Sequence, residues 1–461
     1  MRYVPRVVTE ASPRPPPAFL YFILFLPFGA TSAFVGTTIV NMWSRGGVHD
    51  AALDALMASH ALPDAFKLIA APFVDGFWNI GTALFDTGSR GGIGEAALGA
   101  MVAANILPHT FKVLWAPLVD TVWNGRAWYI VGNLVSSAAI IATGLLAISE
   151  HNVGLLTTMV LINGFATTFV GMTTEALMAH VCPPEQRGMA AGWSQAGNVG
   201  GGIVGGMALI LYDQTAIQWL PAVVVGVTLL SCSVVLLWFR PIHPIDRPTF
   251  FESAKELVRD VRGIFWSRSG LIGAALCILP IGSGAAANLF AADRFMAEWG
   301  VSTSLVAFLN GAGGGLAAML GSLSGGRLSD VIEKKRAYAL SGIALAATAF
   351  AMALMPRSTA TYVVWVLAYQ FAIGMCYATF TGFVLDVIGK GAAATKYNLL
   401  ASLANIPITL MGRWDGRIAE DHGHGTMLWF DGAMGVAGAV VLMMIVLLAL
   451  PRRGAPQSAS S

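Results

Sequence analysis

An α-helix needs about 20 consecutive apolar residues to cross the hydrocarbon core of a bilayer, and this chain of 461 residues supplies such runs one after another. They fall at roughly 18–42, 94–118, 127–148, 153–178, 189–212 and 217–239, and again at roughly 270–290, 303–325, 337–355, 360–384, 397–414 and 427–450. Charges, prolines or glycines bound each run. The pattern predicts an all-α integral membrane protein with twelve core spans in two six-helix bundles, because only helices satisfy their own backbone polar groups in lipid without closing a barrel. With 56% hydrophobic and 11% charged residues, the chain is far from the composition of a soluble domain. A formal net charge of +2 provides no field for nucleic acid. The cysteines, Cys182, Cys232, Cys277 and Cys376, stand singly, which argues against a disulfide framework or a zinc site and reads as apolar packing.

The basic residues set an orientation. If the first span starts in the cytoplasm, then Arg2, Arg6, Arg14, Lys112, Arg126, Arg187, Arg327, Lys334, Lys335, Arg336, Lys390, Lys396, Arg452 and Arg453 fall inside, and far fewer, among them Arg90, Arg294, Arg357, Arg413 and Arg417, fall outside. That asymmetry places both termini in the cytoplasm. The expected organisation is a cytoplasmic tail at 1–17, an N-terminal bundle at 18–239, a cytoplasmic linker at 240–269, a C-terminal bundle at 270–450 and a tail at 451–461. The first apolar run is too long for a signal peptide and is expected to be retained. In the linker, Pro241, Pro244 and Pro248 end the sixth span. Phe250, Phe251, Leu257, Val261, Ile264 and Phe265 then recur at helical spacing opposite charged residues, the pattern of an amphipathic helix lying on the membrane surface.

Residues 35–79 and 80–124 repeat one another. Leu62–Asp75 matches Leu107–Asp120, Ser44–Gly47 matches Ser89–Gly92, and Trp78-Asn79 returns as Trp123-Asn124. Two copies at one place indicate a local duplication of a span and its loop. A thirteenth crossing would invert every later loop. Copy one carries Asp50, Asp54, His60, Asp64 and Lys67, and a charge at mid-bilayer costs on the order of 3 kcal/mol. Copy two is therefore taken as the second span, and the duplicated insert at about 44–88 is left as an interfacial segment, a hairpin or a paired crossing.

Between the eighth and ninth spans lies the compact charged turn Gly326–Arg336. It resembles the signature loop of the major facilitator superfamily of secondary transporters. Leu107–Asp120 with Gly125, Arg126 and Trp128 resembles the first signature loop of the muropeptide permease, acetyl-coenzyme A transporter and siderophore importer group within that superfamily. Ala393–Leu403 and Gly192–Asn198 share the same look. The resemblance implies a proton-coupled importer of an organic solute such as a muropeptide, in the inner membrane of a bacterium and working as a monomer. Siderophore import is the alternative within the superfamily. Acyl-coenzyme A would demand buried basic residues that the mid-spans do not supply. A reading from another class is a membrane assembly factor that transports nothing, which would show a blocked cavity and a stable protein partner.

Thr168, Phe169, Gly171 and Glu175 in the fourth span line up with Thr379, Phe380, Gly382 and Asp386 in the tenth at one constant offset, as expected when two bundles rock about a central site. Asp120, Arg126, Glu175 and Arg187, and their counterparts Arg327, Asp330, Lys334, Lys335, Arg336 and Asp386, are expected to form matching charge networks whose ion pairs gate the two halves. For the substrate cavity the mid-span polar and aromatic residues are candidates: His109, Asn163, Trp193, Gln195, Asn198, Asn288, Asn310, Tyr369, Gln370, Tyr377, Asn398 and Asn405. Amides and tyrosines suit a sugar or peptide, which needs many directional hydrogen bonds. Lys112 could neutralise an anionic solute or snorkel to the membrane face. Gly197, Gly201 and Gly205, with Gly311, Gly315, Gly321 and Gly325, stand at GxxxG spacing and are expected to pack spans closely, including across the halves. Glu175, Asp386, Asp293, Asp431 and an Arg413–Asp415 pair are the acids considered for proton coupling. No Walker motif is present, no cofactor is expected, and the proton motive force is the expected energy source. His422 and His424 lack partners at ligand spacing, so no metal is expected. No nucleophile and base can be assembled into an enzyme site.

Overall fold

The structure, a computed structural model, describes residues 15–39, 104–146, 153–239 and 277–449, less 106, 216 and 389–392, with isolated positions in between. The duplicated insert at 44–88, residues 1–14 of the N-terminal tail, the C-terminal tail and most of the linker helix lie outside the described residues.

Every regular element among the described residues is helical. In the N-terminal half, α1 (Leu20–Ala33) runs into a π turn at Phe34–Ile39, and a short α2 (Ala116–Thr121) precedes α3 (Gly125–Leu145), α4 (Val153–Val181), α5 (Arg187–Gln214) and α6 (Leu220–Cys232). In the C-terminal half, α7 (Asp293–Trp299) and α8 (Thr303–Phe308) lead through a π turn at Leu309–Gly313 into α9 (Gly314–Val331). They are followed by α10 (Lys334–Leu354), α11 (Thr359–Ile388), α12 (Ala393–His422) and α13 (His424–Ala449). Seven of the described helical segments are long and apolar enough to cross a membrane. Two long helices, α5 and α12, are not among those seven. Their less apolar composition follows from their place, since they pack against the opposite half and face the space between the halves, where polar side chains find partners.

Local chemistry sets the helix ends. The Asn124 side chain caps α3 by accepting from Ala127 N at 2.8 Å, satisfying one of the free amides of the first turn. Pro221 stands at the start of α6, where its missing N–H costs nothing.

The apolar cores reveal how the halves meet. One cluster, from Leu20 and Tyr21 through Met178 and Ala190 to Tyr338, Phe383 and Leu400, contains residues of both halves. A smaller one joins Val119 and Phe169 to Ala394. Two others are private: Phe290, Trp299, Tyr362 and Leu428 belong to the C-terminal half alone, and Phe34, Ile140, Val160 and Leu229 to the N-terminal half alone. Burial therefore joins the halves at the end bearing Asp120 and Asp330, and each half closes on itself at the other end.

The glycines divide the same way. Cβ atoms at Gly197 and Gly201 would strike the backbone oxygens of Phe22 and Leu26 on α1, and Cβ atoms at Gly321 and Gly325 would strike those of Phe371 and Met375 on α11. These GxxxG faces seat helices within one half, contrary to the expectation of a sliding surface between halves. Only Gly315 of that set faces the other half, against Ile203 of α5. The close crossing between halves uses Gly188 and Gly192 on α5 against Gly326 on α9, where a Cβ on Gly326 would lie 2.6 Å from Gly188 O and 2.7 Å from Gly192 Cα.

Candidate functional site: a two-half cavity and its latch

A cavity of about 270 Å³ lies between the halves. The N-terminal half contributes Phe25, Phe28, Lys112, Glu175, Gln195 and Asn198, and the C-terminal half contributes Ser283, Tyr338, Tyr377, Thr381, Tyr397 and Asn405 among others. Four residues picked from the sequence, Gln195, Asn198, Tyr377 and Asn405, line it directly. A fifth, Asn398, stands behind the wall and donates to Glu175 Oε2 at 3.0 Å and to Ala394 O at 2.7 Å.

Glu175 is the charged centre of this space. It is 3% exposed, with Lys112 Nζ 3.6 Å from Oε1, so the α4 carboxylate is held by an ammonium of its own half and an amide of the other. Lys112, itself 8% exposed, also lies over the Phe28 ring, 5.9 Å from its centroid. It does not snorkel: the 3₁₀ turn Lys112–Leu114 ahead of Pro117 aims it inward. A second chain of hydrogen bonds crosses the halves. Asn198 Nδ2 donates to Gln195 Oε1 at 3.3 Å, Gln195 Nε2 donates to Thr381 Oγ1 at 3.0 Å, and Thr381 and Tyr397 hydroxyls stand 3.1 Å apart.

The other candidates serve elsewhere. Asn163 accepts from Ser136 and donates to Asn105, tying α3 to α4 and to the helical residues before α2. His109 lies edge-on to Phe28 and 3.4 Å from Thr167 Oγ1. Trp193 packs edge-on to Phe22. Asn288 and Asn310 are exposed, Gln370 is half-buried beside Gly314, and Tyr369 donates to Asp431. Lys112, Glu175, Ser283, Tyr338, Thr381 and Tyr397 are the polar cavity residues outside the substrate list; the position of Glu175 about six turns into an apolar helix was the available signal.

At the joined end the two central carboxylates, Asp120 and Asp330, hold backbone amides and not basic side chains. Asp330 of α9 accepts from Gly188 N and Met189 N, both at 2.8 Å. These amides open α5, whose own N-cap residue, Gln186, makes no side-chain cap. Asp120 of α2 accepts from Ala394 N at 3.1 Å, Thr395 N at 2.9 Å and Thr395 Oγ1 at 2.8 Å, at the start of α12. Each carboxylate thus caps a helix of the opposite half, where free N–H groups and the positive end of the helix dipole favour an anion. The basic residues join by donating to carbonyls: Arg187 to Leu385 O at 2.9 Å across the halves, and Arg126 to Leu236 O at 2.6 Å and Phe239 O at 2.5 Å. Lys334 approaches Asp386 at 3.8 Å and Pro184 O at 3.4 Å, and Arg336 pairs with Glu333 at 3.1 Å. Arg327 and Lys335 flank this turn on α9 and α10. Matched ion-pair networks were expected; carboxylate caps on backbone amides are found, because helix starts offer donors that no side chain has to supply.

Among the described residues no group of three or more metal-ligating side chains occurs. His424 Nδ1 stands 2.6 Å from Glu298 Oε1, and Arg357 pairs with the same carboxylate.

Two helical halves around a shared cavity that mixes apolar walls with polar groups, closed at one end by reciprocal caps, define a transporter architecture. The family model of the Major Facilitator Superfamily matches residues 17–412, and the chain belongs to that family. The seven described helical segments long and apolar enough to cross a membrane are in keeping with that membership. The chain is 25% identical over 328 residues to the anhydromuropeptide permease of Escherichia coli strain K12, and matches the same permease of Escherichia coli O157:H7 equally. The match covers 69% of this chain and 65% of the permease, so the chain spans less than two thirds of that relative's length. Among solved structures, the human organic anion transporter MFSD10 (TETRAN) superposes with a TM-score of 0.63 at 14% identity, covering 93% of this chain and 100% of that one. The proton:xylose symporter XylE bound to 6-bromo-6-deoxy-D-glucose superposes with a TM-score of 0.57 at 13% identity, over 93% and 96% of the two chains.

Proposed function

We propose that the protein is a proton-coupled importer of a polar, anionic organic solute of the muropeptide kind, seated in a bacterial inner membrane with the Asp120 and Asp330 end toward the cytoplasm. The observation that carries this reading is the buried Lys112–Glu175 pair in the cavity wall, its carboxylate also held by Asn398 of the other half. A muropeptide offers peptide carboxylates to Lys112 and sugar hydroxyls and amides to Gln195, Asn198, Tyr377 and Asn405. When a solute carboxylate takes the ammonium, Glu175 is left buried with one amide, a costly position for an ionised carboxylate. A proton relieves that cost, so solute and proton enter together. The 25% identity to a permease named for anhydromuropeptides supports the substrate class.

The cavity of about 270 Å³ lies below the ~300–1,000 Å³ usual for small-molecule sites. A glycopeptide therefore binds after the halves have parted at the end opposite the caps, and release follows when the caps break and the halves rock the other way. The excess of basic residues on the loops of the capped end supports its cytoplasmic placement.

Uptake of a radiolabelled anhydromuropeptide into proteoliposomes, with and without an inward proton gradient, tests the proposal. Gradient-dependent accumulation that disappears in Glu175→Gln is expected. Accumulation indifferent to the gradient overturns the coupling, and no accumulation by folded protein overturns the substrate class.

A further inference from the structure

The C-terminal half holds a second knot of buried charge away from Glu175. Asp415, on α12, is 0% exposed, and neither of its carboxylate oxygens has a hydrogen-bond partner among the described residues. The charged group facing it is Asp431 on α13, itself 5% exposed. Tyr369 of α11 donates to Asp431 Oδ2 at 2.9 Å, and the Ser283 hydroxyl also reaches that carboxylate. The Cys376 thiol, on α11 beside Tyr369, is the remaining titratable group at this place. Arg413 and Arg417 of α12 fall on exposed faces of that helix, and the described ion pairs leave both aspartates without a lysine or arginine. The Arg413–Asp415 pairing expected from the sequence is absent for this reason: residues two apart on a helix point in different directions.

Two carboxylates that feel one another in an apolar interior do not both stay ionised, because like charges repel and neither is hydrated. Such a dyad settles by sharing one proton. The donors present match that state. Tyr369 and Ser283 both serve Asp431, as a carboxylate needs, and nothing serves Asp415, as an ionised carboxylate could not tolerate.

We infer that Asp415 and Asp431 form a single-proton binding site in the C-terminal half, with the proton on Asp415. Ser283 links it to the cavity, since its side chain both lines the cavity and reaches Asp431. That serine stands between Gly282 and Gly284, whose φ angles of 66° and 65° break the helical path at the cavity wall. Interrupted spans of this kind are where transporters build ion sites. The site lies one hydroxyl away from the cavity, so a proton can exchange with it while both carboxylates stay buried. The inference does not depend on which solute is carried, nor on Glu175.

Dicyclohexylcarbodiimide reacts with protonated carboxyl groups in apolar surroundings and spares ionised ones, so it reads the site without solute or uptake. Full-length protein in lipid nanodiscs, labelled across a pH series and mapped by mass spectrometry, is expected to carry the adduct on Asp415, with labelling lost as the pH becomes alkaline. No adduct on Asp415 or Asp431 at any pH overturns the inference. An adduct on Glu175 alone also overturns it, while leaving the coupling reading of Glu175 in place. Suppression of the Asp415 adduct by Na⁺, against choline at constant pH and ionic strength, overturns the proton assignment in favour of a metal cation. As a second measurement, the thermal stability of the wild type is expected to fall as the pH rises and the shared proton is lost, and Asp415→Asn, neutral at every pH, is expected to abolish that fall; parallel falls in both proteins overturn the site.

Discussion

Asp120 and Asp330 make the same contact from opposite halves: each carboxylate straddles two successive backbone amides at the start of a helix in the other half, Ala394 and Thr395 for one and Gly188 and Met189 for the other. The reciprocity means that neither half can rock away at this end without exposing two helix starts at once. The shared apolar cluster around Tyr21, Ala190 and Phe383 lies alongside these caps and breaks with them.

Asp330→Ala removes both acceptors from the start of α5. Loss of a helix cap costs about 0.5–2 kcal/mol, so the opening equilibrium at this end should shift by about tenfold at ~1.4 kcal/mol. The expected outcome is a faster reaction of Thr381→Cys, which lines the cavity, with a membrane-impermeant maleimide applied from the capped side. Cys277 and Cys376 line the same cavity and are replaced by alanine in the background of every variant, while Cys182 and Cys232 are buried away from it.

Asp120→Ala should act in the same direction. Because the two caps close on separate helices but break in one rigid-body movement, the double variant is expected to show the sum of the two free-energy shifts. The labelling rates of the four proteins in the cycle check this; a double variant no faster than either single one would mean that a single cap controls the opening.

Gly326→Ala puts a methyl where backbone of α5 already lies at 2.6 Å and 2.7 Å. Overpacking of this kind costs about 1–3 kcal/mol, and the strain is relieved by parting the halves, so the variant should favour the conformation open at the capped end. Gly202→Ala, which meets nothing within 4 Å, is the matched control and should behave as wild type in the same maleimide assay.

Lys112→Met leaves Glu175 buried with one amide donor. Removing one member of a buried pair costs about 3–5 kcal/mol, and a marked drop in thermal stability is expected. The double variant Lys112→Met with Glu175→Gln removes both charges and should recover most of that stability while losing uptake. A double variant as unstable as the single one would show that Lys112 contributes through packing on Phe28 and not through charge.

Many spans were legible because membrane crossing writes itself in runs of apolar residues, although the run expected at 270–290 is broken at Gly282 and Gly284; Asp120 and Asp330 were legible as counterparts because each ends an apolar run at a charged turn. What they hold was not. Their acceptors' partners are main-chain amides, which carry no side-chain signature and lie 274 and 142 residues away in the chain. Lys112 read as a candidate for the membrane face because hydropathy ignores the inward turn before Pro117. The burial of Asp415 was hidden for a related reason: α12 carries charges on several faces, and only packing against α13 and α11 shows which one is shut in. The GxxxG spacings announced close contacts correctly but not their partners, since a small face fits a helix of its own half as well as one across the divide.

The receiving side of each cap has consequences for how such a sequence can change. An amide donor belongs to every residue except proline, so Met189 and Ala394 are free to drift in identity without loosening the closure, provided their side chains find room, whereas Thr395 adds its hydroxyl to the cap and Gly188 has no room for a Cβ. The acidic side has no such latitude: only a short carboxylate at 120 and 330 reaches two adjacent amides. Mutational pressure on the gate therefore falls hardest on the two carboxylates, with Gly188 held by space and Thr395 by its hydroxyl, and a scan of this surface should find Met189 and Ala394 the tolerant positions.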